Sequence, residues 1–335
     1  MNATSIRRAL REDYPALRKF LEREWSSNHV FVKNSEIFFW QHLDRETGLL
    51  NFLLFESDHT IHAVLGFVPY SLFSSNVPEN RVFLAIWKTS STNTAPGAGF
   101  HLYNQLHKHV DTSFIGAIGI SEVALPLYQK LGYTTGVMDH FVVFNPSIPK
   151  RILTFAPDQM LPQSTVTSVE VDLTADREYV DMICLRNASP KNAEYLVNRF
   201  AEHPTYEYLS FLFSSGERSV LLVMREVNVS GSLLGRVVDA VGEYALIADC
   251  AAALREVAVQ REWEYVDIYS TGLSTVSMNA GGYFVRGIGS DVVVPNYFEP
   301  FVQTNVDISF AWKNQGIPGN TVLFRGDSDQ DRPNS

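Results

Sequence analysis

Residues 82–133 read VFLAIWKTSSTNTAPGAGFHLYNQLHKHVDTSFIGAIGISEVALPLYQKLGY. VFLAIW is a continuous apolar run, the pattern of a strand buried on both faces. Thr94-Ala95-Pro96-Gly97-Ala98-Gly99-Phe100 then forms a glycine turn that feeds the helical pattern FHLYNQLHKHV. SFIGAIGIS is a second buried strand, and EVALPLYQKLGY is a short helix stopped at Gly132. A strand delivered into a glycine turn at a helix start is a device for an anionic ligand. Glycines let main-chain N–H groups approach the oxygens, and the helix N-terminus adds partial positive charge at the same spot. Two other phosphate devices fit badly. A P-loop requires Gly-Lys-Ser/Thr, whereas Phe100-His101 follows Gly99, and a dinucleotide fingerprint requires a third glycine where Leu102 stands.

Upstream, DYPALRKFLEREW predicts a helix with Pro15 in its first turn, the loop SSNHVFVKN follows, and SEIFFWQHLD predicts a second helix. NFLLFES and IHAVLGFVPYSLF read as paired strands, and HFVVF, downstream, closes the first half as a strand. Pro146, Pro149, Pro157 and Pro162 interrupt the next stretch repeatedly, which marks a linker. The division is residues 1–145, a proline-rich linker over 146–165, and residues 166–335. The second half repeats the first coarsely, with helices at EYVDMICLR, AEYLVNRFAE and ADCAAALREVAVQR. Its strands are expected at SVLLVMREV, LLGRVVDAV and EYVDIYS, then near Asp291 to Val294 and Thr321 to Arg325. The arrangement points to a diverged duplication.

Composition bounds the function. The chain has 335 residues, 45% apolar, 19% charged and 12% aromatic, which is the profile of a folded globular protein of about two domains. Lys plus Arg at 27 against Asp plus Glu at 37 gives a net charge of −10, and no basic stripe offsets it. Nucleic acid and membrane surfaces are therefore not expected partners. The 2 cysteines, Cys184 and Cys250, lie in apolar stretches and give no disulfide framework. No signal peptide and no long apolar run is visible, so a cytoplasmic protein is expected. His107 and His109 sit two apart on a helix and face different ways, so no metal site is expected. No Gly-x-Ser-x-Gly elbow is present.

Ala124 with Leu127-Tyr128-Gln129-Lys130-Leu131-Gly132-Tyr133 resembles the final motif of the Gcn5-related N-acetyltransferase superfamily, "A..lYeklGF" after strand five. The glycine turn resembles that superfamily's pyrophosphate loop, with Gly97 and Gly99 matching and Thr94 standing where Arg or Gln is usual. The resemblance implies an α+β protein of two tandem acetyltransferase-like domains, each a mixed, splayed β-sheet flanked by helices. It implies acetyl-CoA, or another acyl-CoA, as cosubstrate and no metal. Its donor site would use the strand around Leu84 to Lys88, with Ile86, Trp87 and Lys88 along the pantetheine arm, and Thr94, Gly97, Ala98, Gly99 and Phe100 at the pyrophosphate. Tyr128 would protonate the departing thiolate, a phenol near pKa 10 facing a thiol near about 8.5. The base is expected to be His29, in the loop that forms the acceptor wall in this superfamily, ahead of Glu36, His42, Asp139 and His140.

The second half lacks Gly-x-Gly where the pyrophosphate loop would fall, so it is expected to bind no coenzyme. Its polar and aromatic clusters NRFAEHPTYEY, PNYFEPF and RGDSDQDRPN suit sugar or base recognition, or else a braced turn and a solvated tail. Along its whole length the chain resembles tandem acetyltransferase-like proteins of bacterial surface-polysaccharide biosynthesis, which implies a nucleotide-linked amino sugar as acceptor. On that reading His42, Arg199, His203, Tyr206, Asn296, Tyr297, Glu299 and Arg332 bind the acceptor, and a homodimer is compatible. An aminoacyl or peptidyl transferase of tandem type is the alternative enzyme, and a coenzyme- or sugar-nucleotide-binding module is the non-enzymatic one.

Overall fold

The computed structural model describes residues 5–58, 60–92, 96–154, 157–287, 289–296, 301–314 and 321–333. The first half begins with β1 (Ser5–Leu10), which the sequence pattern did not announce, and α1 (Tyr14–Glu24), which carries Pro15 in its first turn and turns Leu17, Phe20 and Leu21 inward. A short α2 (Val30–Lys33) leads to α3 (Ser35–His42), capped by Asn34, whose side-chain oxygen accepts from the Glu36 and Ile37 N–H groups. Next come β2 (Leu49–Ser57), β3 (Thr60–Pro69), β4 (Arg81–Thr89), α4 (Ala98–Gln105), β5 (Phe114–Ile118), α5 (Leu125–Lys130) and β6 (Thr134–Val137). Alternation along β2 sends Phe52 and Leu54 toward α1–α3 and Leu53 and Phe55 toward α4 and α5, so both faces of the sheet are covered.

After β7 (Asp139–Phe144) the second half supplies β8 (Thr167–Glu170), α6 (Arg177–Arg186), α7 (Ala193–Leu196), β9 (Leu209–Ser215), β10 (Arg218–Val229) and β11 (Ser232–Gly242). It continues through α8 (Ala251–Gln260), β12 (Trp263–Thr271), α9 (Thr275–Ala280), β13 (Phe284–Arg286), β14 (Ser309–Asn314) and β15 (Leu323–Phe324). The strand expected at Asp291 to Val294 is irregular backbone. There the Val293 and Val294 N–H groups donate to the side chains of Thr154 and Asn305 and not to a neighbouring strand.

The first sheet runs β1-β2-β3-β4-β5-β14-β6 and the second β8-β9-β10-β11-β12-β7-β13. The two halves therefore exchange one strand. β14 pairs antiparallel with β5 and β6, while β7 takes the equivalent place beside β12 and β13. The crossing is marked by Met138, buried between β6 and β7, whose N–H donates to the carbonyl of Ile308 at 2.9 Å. A hydrophobic core shared by Tyr70, Phe83, Phe114 and Phe310 with Tyr195, Leu196, Phe200 and Leu323 joins the halves.

Candidate active site

The site begins where two parallel strands part. β4 and β5 pair only over Arg81 to Phe83 against Phe114 to Gly116, although β4 continues to Thr89 and β5 to Ile118. Next to the parting point β4 carries a bulge: Gly66 of β3 faces Ile86 and Phe67 faces Leu84, which leaves Ala85 as the extra residue. The wedge opens into a cleft of about 410 Å³ lined by Leu84, Ala85, Trp87 and Thr89 on one side and Ile118 to Ser121 on the other, closed by Gly97 to Phe100, Ala124, Leu127, Tyr128 and Trp25. Main-chain groups on the facing edges of the two strands are without their sheet partners over this stretch, and in a cleft such groups are binding groups.

At one wall the glycine turn starts α4. Gly97 adopts φ +79, a left-handed conformation that suits glycine, and caps the helix without any side-chain bond. The N–H groups of Ala98, Gly99 and Phe100 belong to the first helical turn, where no partner exists within the helix. Gly99 is held to glycine by space: a Cβ there would lie 2.9 Å from Trp87 Nε1 and 3.1 Å from Thr89 Oγ1. In return the Trp87 indole N–H donates to the Gly99 carbonyl at 3.0 Å and its ring stacks on Tyr103 at 5.6 Å. The turn is thus pinned to β4 by a side chain from β4 itself.

Tyr128 is 3% exposed and lies edge-on to Trp87 and Tyr133, at 5.8 and 5.2 Å between ring centres. Tyr103 and Tyr133 satisfy each other through a hydroxyl pair at 2.9 Å, whereas the Tyr128 hydroxyl has no hydrogen-bond partner among the described residues. Burial, and then the neighbouring Tyr103, hold the Tyr128 phenol above its ordinary pKa, so it stays protonated at working pH. The bare helix-start amides, the unpaired strand edges and the free phenol fit an acyl-CoA. The amides of Ala98 to Phe100 would hold its diphosphate and the edge of β4 its pantetheine arm, and the group itself would supply an activated thioester.

Other expected site residues fall elsewhere. The Ile86 side chain enters the core under α1–α3 and Lys88 does not line the cleft, because alternation past the bulge turns Ala85, Trp87 and Thr89 toward it. Thr94, Tyr297 and Glu299 lie outside the described residues. His29 is buried beside Trp25. Its Nδ1 accepts from the Phe31 N–H, and burial followed by the charge of Arg332 lowers its pKa to about 4, which makes it a poor base. His42 is fully buried, with ring contacts from Nδ1 to the Phe67 carbonyl and from Nε2 to Gln41, so no face is left for a substrate. His140 is sealed in the second sheet between Asp267 and Arg286. Glu36 is exposed on α3, and Asp139, half-buried, opens β7 in the second sheet.

Arg199, Arg332 and Asn296 converge, with Tyr208, on residues 325–332 instead of on a sugar-shaped pocket. Arg199 pairs with Asp331 at 2.8 Å and donates to the Ser328 carbonyl, Tyr208 donates to Asp331, Arg332 reaches Gln41, and Asn296 accepts from Arg325 at 3.0 Å. His203 lies tilted against Trp40 at 4.2 Å between ring centres, and Tyr206 lies under the Arg225 guanidinium at 4.2 Å. The expected solvated tail is thus a buried segment. Its β15 pairs with Ser270 and Thr271 of β12 beyond the point where β11 and β12 stop pairing, and Gly326 packs so closely on Val238 that a Cβ would meet its carbonyl at 2.6 Å. The chain's own residues thus fill in the second half the wedge that stays open in the first. Trp25, Gly119 and Ser121 are cleft residues that sequence reasoning missed. The glycine in GAIGIS, at φ +78, was the available signal for one of them.

The buried histidines make a pH prediction. Burial lowers His29 and His140 to about 4, and His42 and His203 to about 3, below the ordinary 6.5. Below pH 6.5 the unfolded chain takes up protons that the folded one refuses, so stability rises with pH across roughly 4 to 6.5 and is lost on acidification. Each histidine contributes about 1.4 kcal/mol per pH unit in that window. Urea midpoints measured from pH 7.5 to 5 are expected to fall steeply below 6.5; flat midpoints would show that the rings are protonated in the native state.

No protein-family model matches the chain, and no curated protein sequence matches it. Solved structures do. A Gcn5-related N-acetyltransferase of Anabaena variabilis ATCC 29413 superimposes with a TM-score of 0.57 over 94% of this chain and 73% of that one, at 12% identity. A Gcn5-related N-acetyltransferase of Kribbella flavida gives a TM-score of 0.54 over 93% of this chain and 71% of that one, also at 12% identity. Among the described residues no group of side chains is placed to hold a metal ion, and no helix is long and apolar enough to cross a membrane. The two mixed sheets, each flanked by helices, are those of a tandem Gcn5-related N-acetyltransferase fold.

Proposed function

We propose that the chain is an acyl-CoA-dependent N-acyltransferase that works at the wedge between β4 and β5. The observation that carries this is the coincidence, in one cleft, of parted parallel strands, a side-chain-free helix start at Gly97 to Phe100, and a buried phenol with its hydroxyl free. Donor and amine meet directly there. The amine nitrogen bonds to the acyl carbon, the C–S bond breaks, the thiolate gains a proton from the Tyr128 side, and the amine gives one up to the acceptor side. The finer reading, in which the acceptor is a nucleotide-linked amino sugar used for bacterial surface polysaccharide, rests on the motif resemblance read from the sequence.

Thiol release from acetyl-CoA across UDP- and dTDP-linked amino sugars and simple primary amines tests the acceptor class. The donor site is tested by calorimetry with Gly99→Ala. The added Cβ displaces the Trp87 indole from the turn, and acetyl-CoA affinity is expected to fall about tenfold or more, the loss of a close main-chain contact and one hydrogen bond. Unchanged affinity in that variant would remove the glycine turn from the donor site.

A further inference from the structure

Residues 323–333 are buried throughout except at Gln330, which is partly exposed. The segment is fixed on both sides of that residue. Before it, Asp327 bonds Lys191 and Tyr70, and Arg199 holds the Ser328 carbonyl; after it, Asp331 is held by Arg199 and Tyr208. The Gln330 carbonyl itself accepts from Arg325 Nε. So anchored, the Gln330 side chain rests on Gly119, where a Cβ would stand 2.7 to 3.0 Å from the three amide atoms. Gly119 lines the cleft at the end of β5, across from Ala85 and Trp87.

We propose that Gln330 binds the acceptor amine, holding it at the β5 rim of the cleft; this rests on the acyl-transfer reading above. Its Nε2 is already turned toward Asp329 Oδ1, at 3.2 Å, which orients the amide and presents Oε1 as an acceptor. A neutral carbonyl suits the task. It accepts an N–H from an uncharged amine and stabilises the protonated form, which cannot attack, far less than a carboxylate at the same place would.

The test uses the full chain, with the amine that the wild type turns over fastest in the panel above. Gln330→Ala and the isosteric Gln330→Met, which keeps the packing on Gly119, are both expected to leave acetyl-CoA affinity within about twofold and to lower kcat/KM for the amine about tenfold, mainly through KM. Gln330→Glu is expected to move the pH profile upward, because a nearby carboxylate raises the amine's pKa. Full kcat/KM in Gln330→Met would overturn the role of the amide. A wild type that binds acetyl-CoA but acylates no amine overturns the assignment of Gln330 and leaves the donor cleft standing. A wild type that binds no acetyl-CoA overturns the donor cleft first and Gln330 with it.

Discussion

Tyr128→Phe is expected to lower kcat by about a hundredfold or more while leaving acetyl-CoA affinity unchanged, because it deletes one hydroxyl and no packing. The ring fills the wall beside Trp87 and Tyr133, and phenylalanine preserves that contact. The hydroxyl makes no bond to any described residue, so its loss leaves no protein group unsatisfied. A raised phenol pKa does not disqualify the acid: the phenol stays protonated until the thiolate that forms beside it takes the proton. The loss should also be independent of pH between about 6 and 9, since a phenol held above its ordinary value does not ionise there. Undiminished turnover in Tyr128→Phe would take the residue out of the mechanism.

Lys191→Met is expected to destabilise the fold by about 3–5 kcal/mol, a large share of the roughly 5–15 kcal/mol that holds a typical protein together. The Lys191 ammonium is 2% exposed and bonds Asp239 at 2.5 Å and Asp327 at 2.6 Å. Tyr70, from the first half, donates to the same Asp327, and the Phe324 N–H donates to its other oxygen at 2.6 Å. One charge therefore ties together β11, the helix region of the second half, the first half and the buried segment behind Gln330. Removing it leaves two carboxylates facing each other out of water. Burial already pushes the Asp239 carboxyl above the ordinary carboxylate range despite Lys191. The urea midpoint should recover in large part when Lys191→Met is combined with Asp239→Asn and Asp327→Asn. A single variant as stable as wild type would mean that the carboxylates are neutral in the native protein.

Residues 82–133 were legible because their signals are local. A glycine with positive φ, a helix start and an apolar strand each follow from a few neighbouring side chains, and Gly97, Gly99 and Tyr128 all line one cleft. Strand exchange was not legible in the same way. HFVVF announces a strand and SFAWK is not among the expected ones, but in neither case does local pattern say which sheet receives it, and β7 and β14 each pair in the other half's sheet. The segment RGDSDQDRP reads as solvated because its charges look unpaired along the chain. Their partners, Arg199 for Asp331 and Lys191 for Asp327, lie more than a hundred residues away in sequence. The histidines failed for a related reason: a ring nitrogen that caps a helix start, as in His29, cannot be told from one that faces a substrate until burial is known.

The most direct test of the account is a crystal structure of the chain with acetyl-CoA. The coenzyme's diphosphate is expected on the N–H groups of Ala98 to Phe100, its thioester between β4 and β5, and its sulfur within hydrogen-bond reach of the Tyr128 hydroxyl. A coenzyme seated elsewhere, or a wedge that closes on its own side chains and admits none, would contradict it.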